Sequence, residues 1–305
     1  MKFTSKVLVV LLILATVFAA VGCSSTSFNE DEAKSIISAK DALQLLGKEN
    51  VVLVDAQKAN IYGKAHVKGS VNISRDDIVV KEPVANVLGT KEQIEKVLGN
   101  VGISNDATVV IYDNNNNMDS ARLWWTMKVY GHENVMVVSG GLKSLVEAGV
   151  EKTTEVPSVN PVEYSAKDKD ISMIATIDEV KAQVNDPNEN VVLIDTRSQE
   201  EYNAGTIPSS ILIDYSDNNY NDGTYKSVQD IRIMYLENNI KPENTAIMYC
   251  KTSIRGAQTY LALYNAGYRN LKLFDGAWVE WVLDESNPKQ MPSVNEVQSN
   301  EQDNS

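Results

Sequence analysis

Val191-Val192-Leu193-Ile194-Asp195-Thr196 is a β-branched, apolar run that ends in a carboxylate, and Val51-Val52-Leu53-Val54-Asp55-Ala56 has the same form 140 residues earlier. Runs of this kind read as strands buried on both faces. Each is preceded by a helix signal. Thr176-Ile177-Asp178-Glu179 is a capping box, with Ile177, Val180 and Val184 at helical spacing. Ser38-Ala39-Lys40-Asp41 is a looser version before Ala42, Leu45 and Leu46, and Gly47 suits the helix stop.

The duplication continues downstream. Tyr62-Gly63-Lys64-Ala65-His66-Val67 is answered by Tyr202-Asn203-Ala204-Gly205-Thr206-Ile207. A second apolar strand, Val109-Val110-Ile111-Tyr112-Asp113, has its partner in Ala246-Ile247-Met248-Tyr249-Cys250. Val137-Val138-Ser139-Gly140-Gly141 answers Leu273-Phe274-Asp275-Gly276-Ala277. Strands alternating with helices in two copies predict an α/β chain of two units, each a mainly parallel open sheet flanked by helices.

Two cysteines are present in 305 residues. Lys2 and Lys6 precede an apolar run over 7–20, and Ala20-Val21-Gly22-Cys23 closes it. That is a signal-peptide pattern rather than a membrane span, and its end resembles a bacterial lipobox, with Cys23 acylated and Ser24-Ser25-Thr26-Ser27 as tether. The expectation is an exported lipoprotein held at the cell membrane and facing away from the cytoplasm. Removal of 1–22 lowers the basic count from 28 to 26 against 41 acids, a net charge of −15. Such a chain repels nucleic acid and anionic lipid, so an anion pocket must be built locally. With Cys23 alkylated, Cys250 is the one remaining thiol and no internal disulfide can form.

Cys250 follows an apolar strand and precedes Ile254, Ala257, Leu261 and Tyr264 at helical spacing, with Ala266-Gly267 as the stop. A thiol at the mouth of a strand–loop–helix turn sits where open α/β folds bind ligands. Unpaired N–H groups and the helix dipole favour its thiolate. Lys251 and Arg255 add cations, Thr252 and Ser253 add hydroxyls, and the N–H groups of a curled loop can cradle an anion. The bland alternative is an inert buried cysteine.

Asp195-Thr196-Arg197 with Tyr202, Gly205-Thr206-Ile207-Pro208, the six-residue loop 250–255 and Phe274-Asp275-Gly276-Ala277-Trp278 resemble, in this order, the motifs of the rhodanese family in its tandem form, the thiosulfate and mercaptopyruvate sulfurtransferases. The resemblance implies two rhodanese-like domains, an inactive one at 36–150 and a catalytic one at 171–283; the leader pattern gives a signal peptide at 1–22 and a polar tether at 23–35, the prolines and mixed charges between the copies a linker at 151–170, and the polar composition after Trp281 a disordered tail at 284–305. The resemblance implies Cys250 as nucleophile, carrying a persulfide, with Lys251, Thr252, Ser253, Ile254 and Arg255 binding the donor. It implies no cofactor, a small anionic sulfur donor, and a thiol or cyanide acceptor. Rhodanese-fold phosphatases use five residues between cysteine and arginine; four separate Cys250 from Arg255, which favours sulfane sulfur over phosphate. A sensing module that captures sulfur without turnover is the non-enzymatic alternative, and an inactive scaffold a third.

Asp113 stands where the first copy would need its thiol, and four asparagines follow it. A carboxylate cannot take up a sulfane sulfur, so this half is expected to shape a cleft wall. His66 and His132, the two histidines, both fall in it and read as structural, and so few soft ligands disfavour a metal site. Trp124, Trp125, Trp278 and Trp281 read as packing. The catalytic loop departs from the usual family patterns at Lys251 and Ser253. Glu201 falls where thiosulfate enzymes of the family often carry a substrate-binding arginine; a carboxylate there repels thiosulfate, which points to broad donor use, with polysulfides and persulfides beside thiosulfate.

Overall fold

A computed structural model describes residues 34–292; the leader and Cys23 lie outside the described residues. In chain order the first half runs β1 (Ile36–Ile37), α1 (Ala39–Leu45), β2 (Val51–Asp55), α2 (Ala59–Tyr62), β3 (His66–Val67), β4 (Val71–Asn72), β5 (Val79–Val80), β6 (Val87–Leu88), α3 (Lys91–Asn100), β7 (Thr108–Tyr112), α4 (Met118–Val129), β8 (Val135–Val138), α5 (Gly141–Glu147) and β9 (Lys152–Thr153). The second half runs β10 (Ile174–Ala175), α6 (Ile177–Asn185), β11 (Val191–Asp195), α7 (Gln199–Asn203), β12 (Ser210–Leu212), α8 (Val228–Glu237), β13 (Thr245–Tyr249), α9 (Ile254–Asn265), β14 (Leu271–Phe274) and α10 (Ala277–Trp281).

The strand orders β1-β8-β7-β2-β4 and β10-β14-β13-β11-β12 are the same topology written twice, and every pairing within these two sheets is parallel. The quoted strands register directly on their neighbours, Val51 against Thr108 and Val191 against Thr245. From β11 the chain moves one way to β12, and from β13 the other way to β14. The crevice at the carboxyl ends of β11 and β13 is therefore the switch point where such folds bind ligands. Capping follows the sequence. Thr176 and Glu179 form the reciprocal box that starts α6, and Ser38 accepts from the Asp41 N–H at the start of α1.

The halves pack through α4 and α9, the helices that follow the two loops. Trp124, fully buried, meets the Tyr264 ring edge-on at 5.1 Å, and the core is continuous across this seam. Stretch 151–170 is laid over the first half rather than hanging free. β9 pairs antiparallel with β3, Tyr164 is buried, and the Lys167 and Asp170 N–H groups donate to the Tyr130 and Val129 carbonyls. Gly99 makes the close crossing possible, since a Cβ there would lie 2.5 Å from the Val162 carbonyl oxygen.

The tail corrects one expectation. Residues 284–290 were expected to be disordered with the rest of 284–305, yet they are docked. Gln290 and Thr206 exchange both backbone hydrogen bonds at 2.9 Å, and the Trp281 indole donates to the Pro288 carbonyl at 3.0 Å. Backbone pairing and one buried indole hold a segment that composition alone reads as solvated. Residues 293–305 lie outside the described residues.

Candidate active site

Cys250 is the residue after β13 and is 1% exposed. Lys251, Thr252 and Ser253 turn the chain, and α9 begins at Ile254, so Arg255 already lies in its first helical turn. Gly256 allows α9 to approach the strand, because a Cβ there would meet Leu273 Cδ1 at 2.8 Å. The first N–H groups of α9 have no acceptor within the helix, and three residues separate that helix from Cys250. The other side of the loop is fixed by the start of α10: the Trp278 N–H donates to the Cys250 carbonyl at 3.0 Å, and the Val279 N–H to that of Lys251 at 3.2 Å.

Of the five loop residues expected to bind a donor, Lys251 is exposed, Thr252 and Arg255 are half-buried, and Ser253 and Ile254 are buried. Ser253 turns inward and keeps only its backbone for a ligand. Burial disfavours the Arg255 cation, but Glu201 and the neighbouring Cys250 sulfur outweigh it and push its pKa above the ordinary value. Glu201 grips the same guanidinium with both oxygens, at 2.5 and 2.9 Å, and this pairing holds its carboxyl below the usual carboxylate range. The expected clash between Glu201 and an anionic donor thus takes a different form. Glu201 occupies the cation that such a donor would seek.

Beneath the loop lies a buried polar network. Arg197, 3% exposed, holds Asp195 through Nε and Nη2, donates to the Gly205 carbonyl at 2.7 Å, and stacks on the Trp278 ring at 4.4 Å. The Tyr249 hydroxyl lies 2.7 Å from Thr206 Oγ1, 2.9 Å from Ser210 Oγ and 3.1 Å from Asp195 Oδ2. In the first half Asp55, Tyr112 and Ser70 repeat this network with Gln57 in place of Arg197.

The counterpart loop in the first half is one residue longer: four asparagines separate Asp113 from α4, whereas three residues separate Cys250 from α9. The Asp113 carboxylate folds back into its own cradle. It accepts from the N–H groups of Asn115, Asn117 and Ser120 and from the Ser120 hydroxyl at 2.8–3.1 Å. Burial, and then the charge of Asp119, push its pKa up while these donors oppose the shift. This loop is filled from within. His66 faces the Tyr62 and Glu155 carbonyls, and His132 lies between the Ala107 carbonyl and the Tyr164 hydroxyl, so every ring partner belongs to the first half or to the stretch laid over it. Among the described residues no cluster of His, Cys, Asp and Glu is placed to hold a metal ion.

The sequence reading missed Arg122. It lies on α4 of the first half, is fully buried, and crosses the seam to donate to Ser253 Oγ at 3.1 Å and pair with Asp275 at 2.7 Å. Its one signal is a lone cation in the stretch Ala121-Arg122-Leu123-Trp124-Trp125, where the neighbours demand burial.

Residues 38–148 and 176–284 each match the family described as Rhodanese-like domain. A relative from Haloferax volcanii, named "Putative thiosulfate sulfurtransferase", is 31% identical over 277 residues, 83% of this chain and 95% of the relative. The "Sulfur carrier protein TtuD" of Thermus thermophilus is 32% identical over 241 residues, 72% of this chain and 84% of the relative. Among solved structures, an anaerobic ergothioneine biosynthesis enzyme from Chlorobium limicola shares the fold with a TM-score of 0.76 at 23% identity, over 85% of this chain and 70% of that one. The chain belongs to the rhodanese family, with two rhodanese-like domains in tandem, and is an enzyme of the sulfurtransferase class.

Proposed function

We propose that the protein takes a sulfane sulfur onto Cys250 and passes it to a thiophilic acceptor such as cyanide or a thiol. The observation that carries this reading is the placement of Cys250. It follows the central strand at the switch point, ahead of the first turn of α9 and beside the Arg255 cation. In the first step the thiolate attacks the outer sulfur of the donor. A Cys250–sulfur bond forms, the donor's sulfur–sulfur bond breaks, and its electron pair leaves with sulfite when the donor is thiosulfate. In the second step cyanide attacks the outer sulfur of the persulfide, thiocyanate departs, and the thiolate returns. Steady-state kinetics with the two substrates should give parallel double-reciprocal lines; intersecting lines contradict a free persulfide enzyme.

The donor preference follows from Glu201. Thiosulfate is a dianion and must compete with this carboxylate for Arg255, whereas a persulfide or polysulfide presents its sulfur with less charge at the reacting end. Glu201→Gln keeps the shape and removes the charge. It should lower KM for thiosulfate on the order of tenfold, the worth of about one charge-assisted contact, with a smaller change for polysulfide. Equal changes for both donors would remove Glu201 from donor selection.

We further propose that the mature protein is exported and anchored through a lipid on Cys23, a residue outside the described structure. The support is the leader pattern and lipobox-like ending at 20–23. Radiolabelled fatty acid fed to the host should enter the wild-type protein and not Cys23→Ala; equal labelling of both would reject the anchor.

A further inference from the structure

We propose that Arg122, contributed by the half that lacks a thiol, is a positioning residue for the Cys250 loop. The inference rests on the sulfurtransferase reading of Cys250 and gives the first half a part in the reaction that its own filled loop cannot supply. Ser253 is the apex of the loop, with φ at +62°, a left-handed conformation that favours glycine or asparagine. Its side chain is fully buried, and its hydroxyl lies 2.7 Å from the Thr252 carbonyl and 3.2 Å from Asp275 Oδ1. Arg122 Nη1 donates to the Ser253 hydroxyl oxygen at 3.1 Å.

The second arm of the guanidinium secures the surroundings. Arg122 Nη2 lies 2.7 Å from Asp275 Oδ1 and 2.9 Å from the Asn86 carbonyl, and its carbon sits 4.6 Å from the centre of the Trp125 ring. The other Asp275 oxygen accepts from the Leu88 N–H at 2.7 Å. Asp275 heads the turn into α10, whose Trp278 and Val279 N–H groups hold the Cys250 and Lys251 carbonyls. Arg122 therefore grips the loop at Ser253 and, through Asp275, the turn that fixes the opposite side of Cys250. A planar fork can bridge two such partners at fixed geometry, which a lysine cannot do. Arg122 acts through Ser253 and Asp275.

Three variants test this: Arg122→Lys, which retains a cation for Asp275, Ser253→Ala, which removes only the hydroxyl, and the double variant. The readouts are single-turnover sulfur loading from polysulfide, the pH profile of Cys250 alkylation by iodoacetamide, and the thermal midpoint. Small displacements of a reacting group cost up to about 100-fold in rate. Each single variant should slow loading by about tenfold or more and shift the alkylation profile, while the double variant is no slower than the slower single. Wild-type loading and alkylation in Arg122→Lys would overturn the proposal, as would losses that multiply in the double variant or merely track the folded fraction. Should Arg122→Lys not fold, Ser253→Ala decides alone, and wild-type loading there rejects the role. If the wild-type protein itself takes up no sulfur, the transferase reading fails, and the alkylation profiles still decide whether Arg122 sets the loop.

Discussion

Cys250→Ser should leave a folded protein whose sulfur transfer falls on the order of a thousandfold or more, the scale seen when a covalent nucleophile is removed. No other thiol among the described residues can substitute for it. An alkoxide is not available near neutral pH, and an oxygen–sulfur adduct would not hand its sulfur on. The site is 1% exposed, so the new hydroxyl is buried, but it enters beside the Arg255 guanidinium, a hydrogen-bond donor. Stability should therefore change by only about 1 kcal/mol. Circular dichroism and a thermal melt beside the thiocyanate assay separate the two effects. Persistent turnover in this variant would remove Cys250 from the reaction.

The largest loss of stability is expected from Arg197→Met. It leaves the fully buried Asp195 carboxylate with only hydroxyl and backbone partners, and breaking such a pair costs about 3–5 kcal/mol. The thermal midpoint should drop by roughly 10 °C. The first half supplies an internal control. Gln57 stands where Arg197 does and donates to Asp55 at 2.6 Å, so Arg197→Gln should be milder than Arg197→Met. Burial there pushes Asp55 above its ordinary value despite the hydrogen bonds of Tyr112 and Gln57. The folded state therefore holds a proton on Asp55 more readily than the unfolded chain does, so the stability this carboxyl contributes is present below its unfolded pKa and falls as pH rises through its folded one. Equal deficits for the Met and Gln variants would contradict the account.

The duplicated sheet was legible because its signals are local. Short β-branched runs, Thr176 with Glu179, and Ala266-Gly267 each encode a strand, a start or a stop within a few residues, and the structure places β11, α6 and the end of α9 where they point. The placement of Cys250 between β13 and α9 was legible for the same reason. What escaped depends on residues far apart in the chain. Glu201 and Arg255 are 54 positions apart, so a residue read as repelling the donor is found gripping the cation. Arg122 reaches Ser253 across 131 positions. Gln290 pairs with Thr206 from a segment whose composition suggests solvent. Asp113 is the intermediate case. Its identity shows that the first loop cannot carry sulfur, but only the geometry shows its carboxylate satisfying the loop's own N–H groups.

The two loops thus end in different states on one scaffold. In the first, a carboxylate on the chain accepts from the loop's own N–H groups; in the second, a thiol stands at the corresponding place with the Arg255 cation beside it. Intact-mass measurement of the mature protein lacking Cys23, after polysulfide or thiosulfate and again after cyanide, tests this contrast most directly. The account predicts the gain of one sulfur atom on Cys250 and its removal by cyanide with an equal amount of thiocyanate released. No gain from either donor, with the Cys250 thiol still open to alkylation, would contradict it.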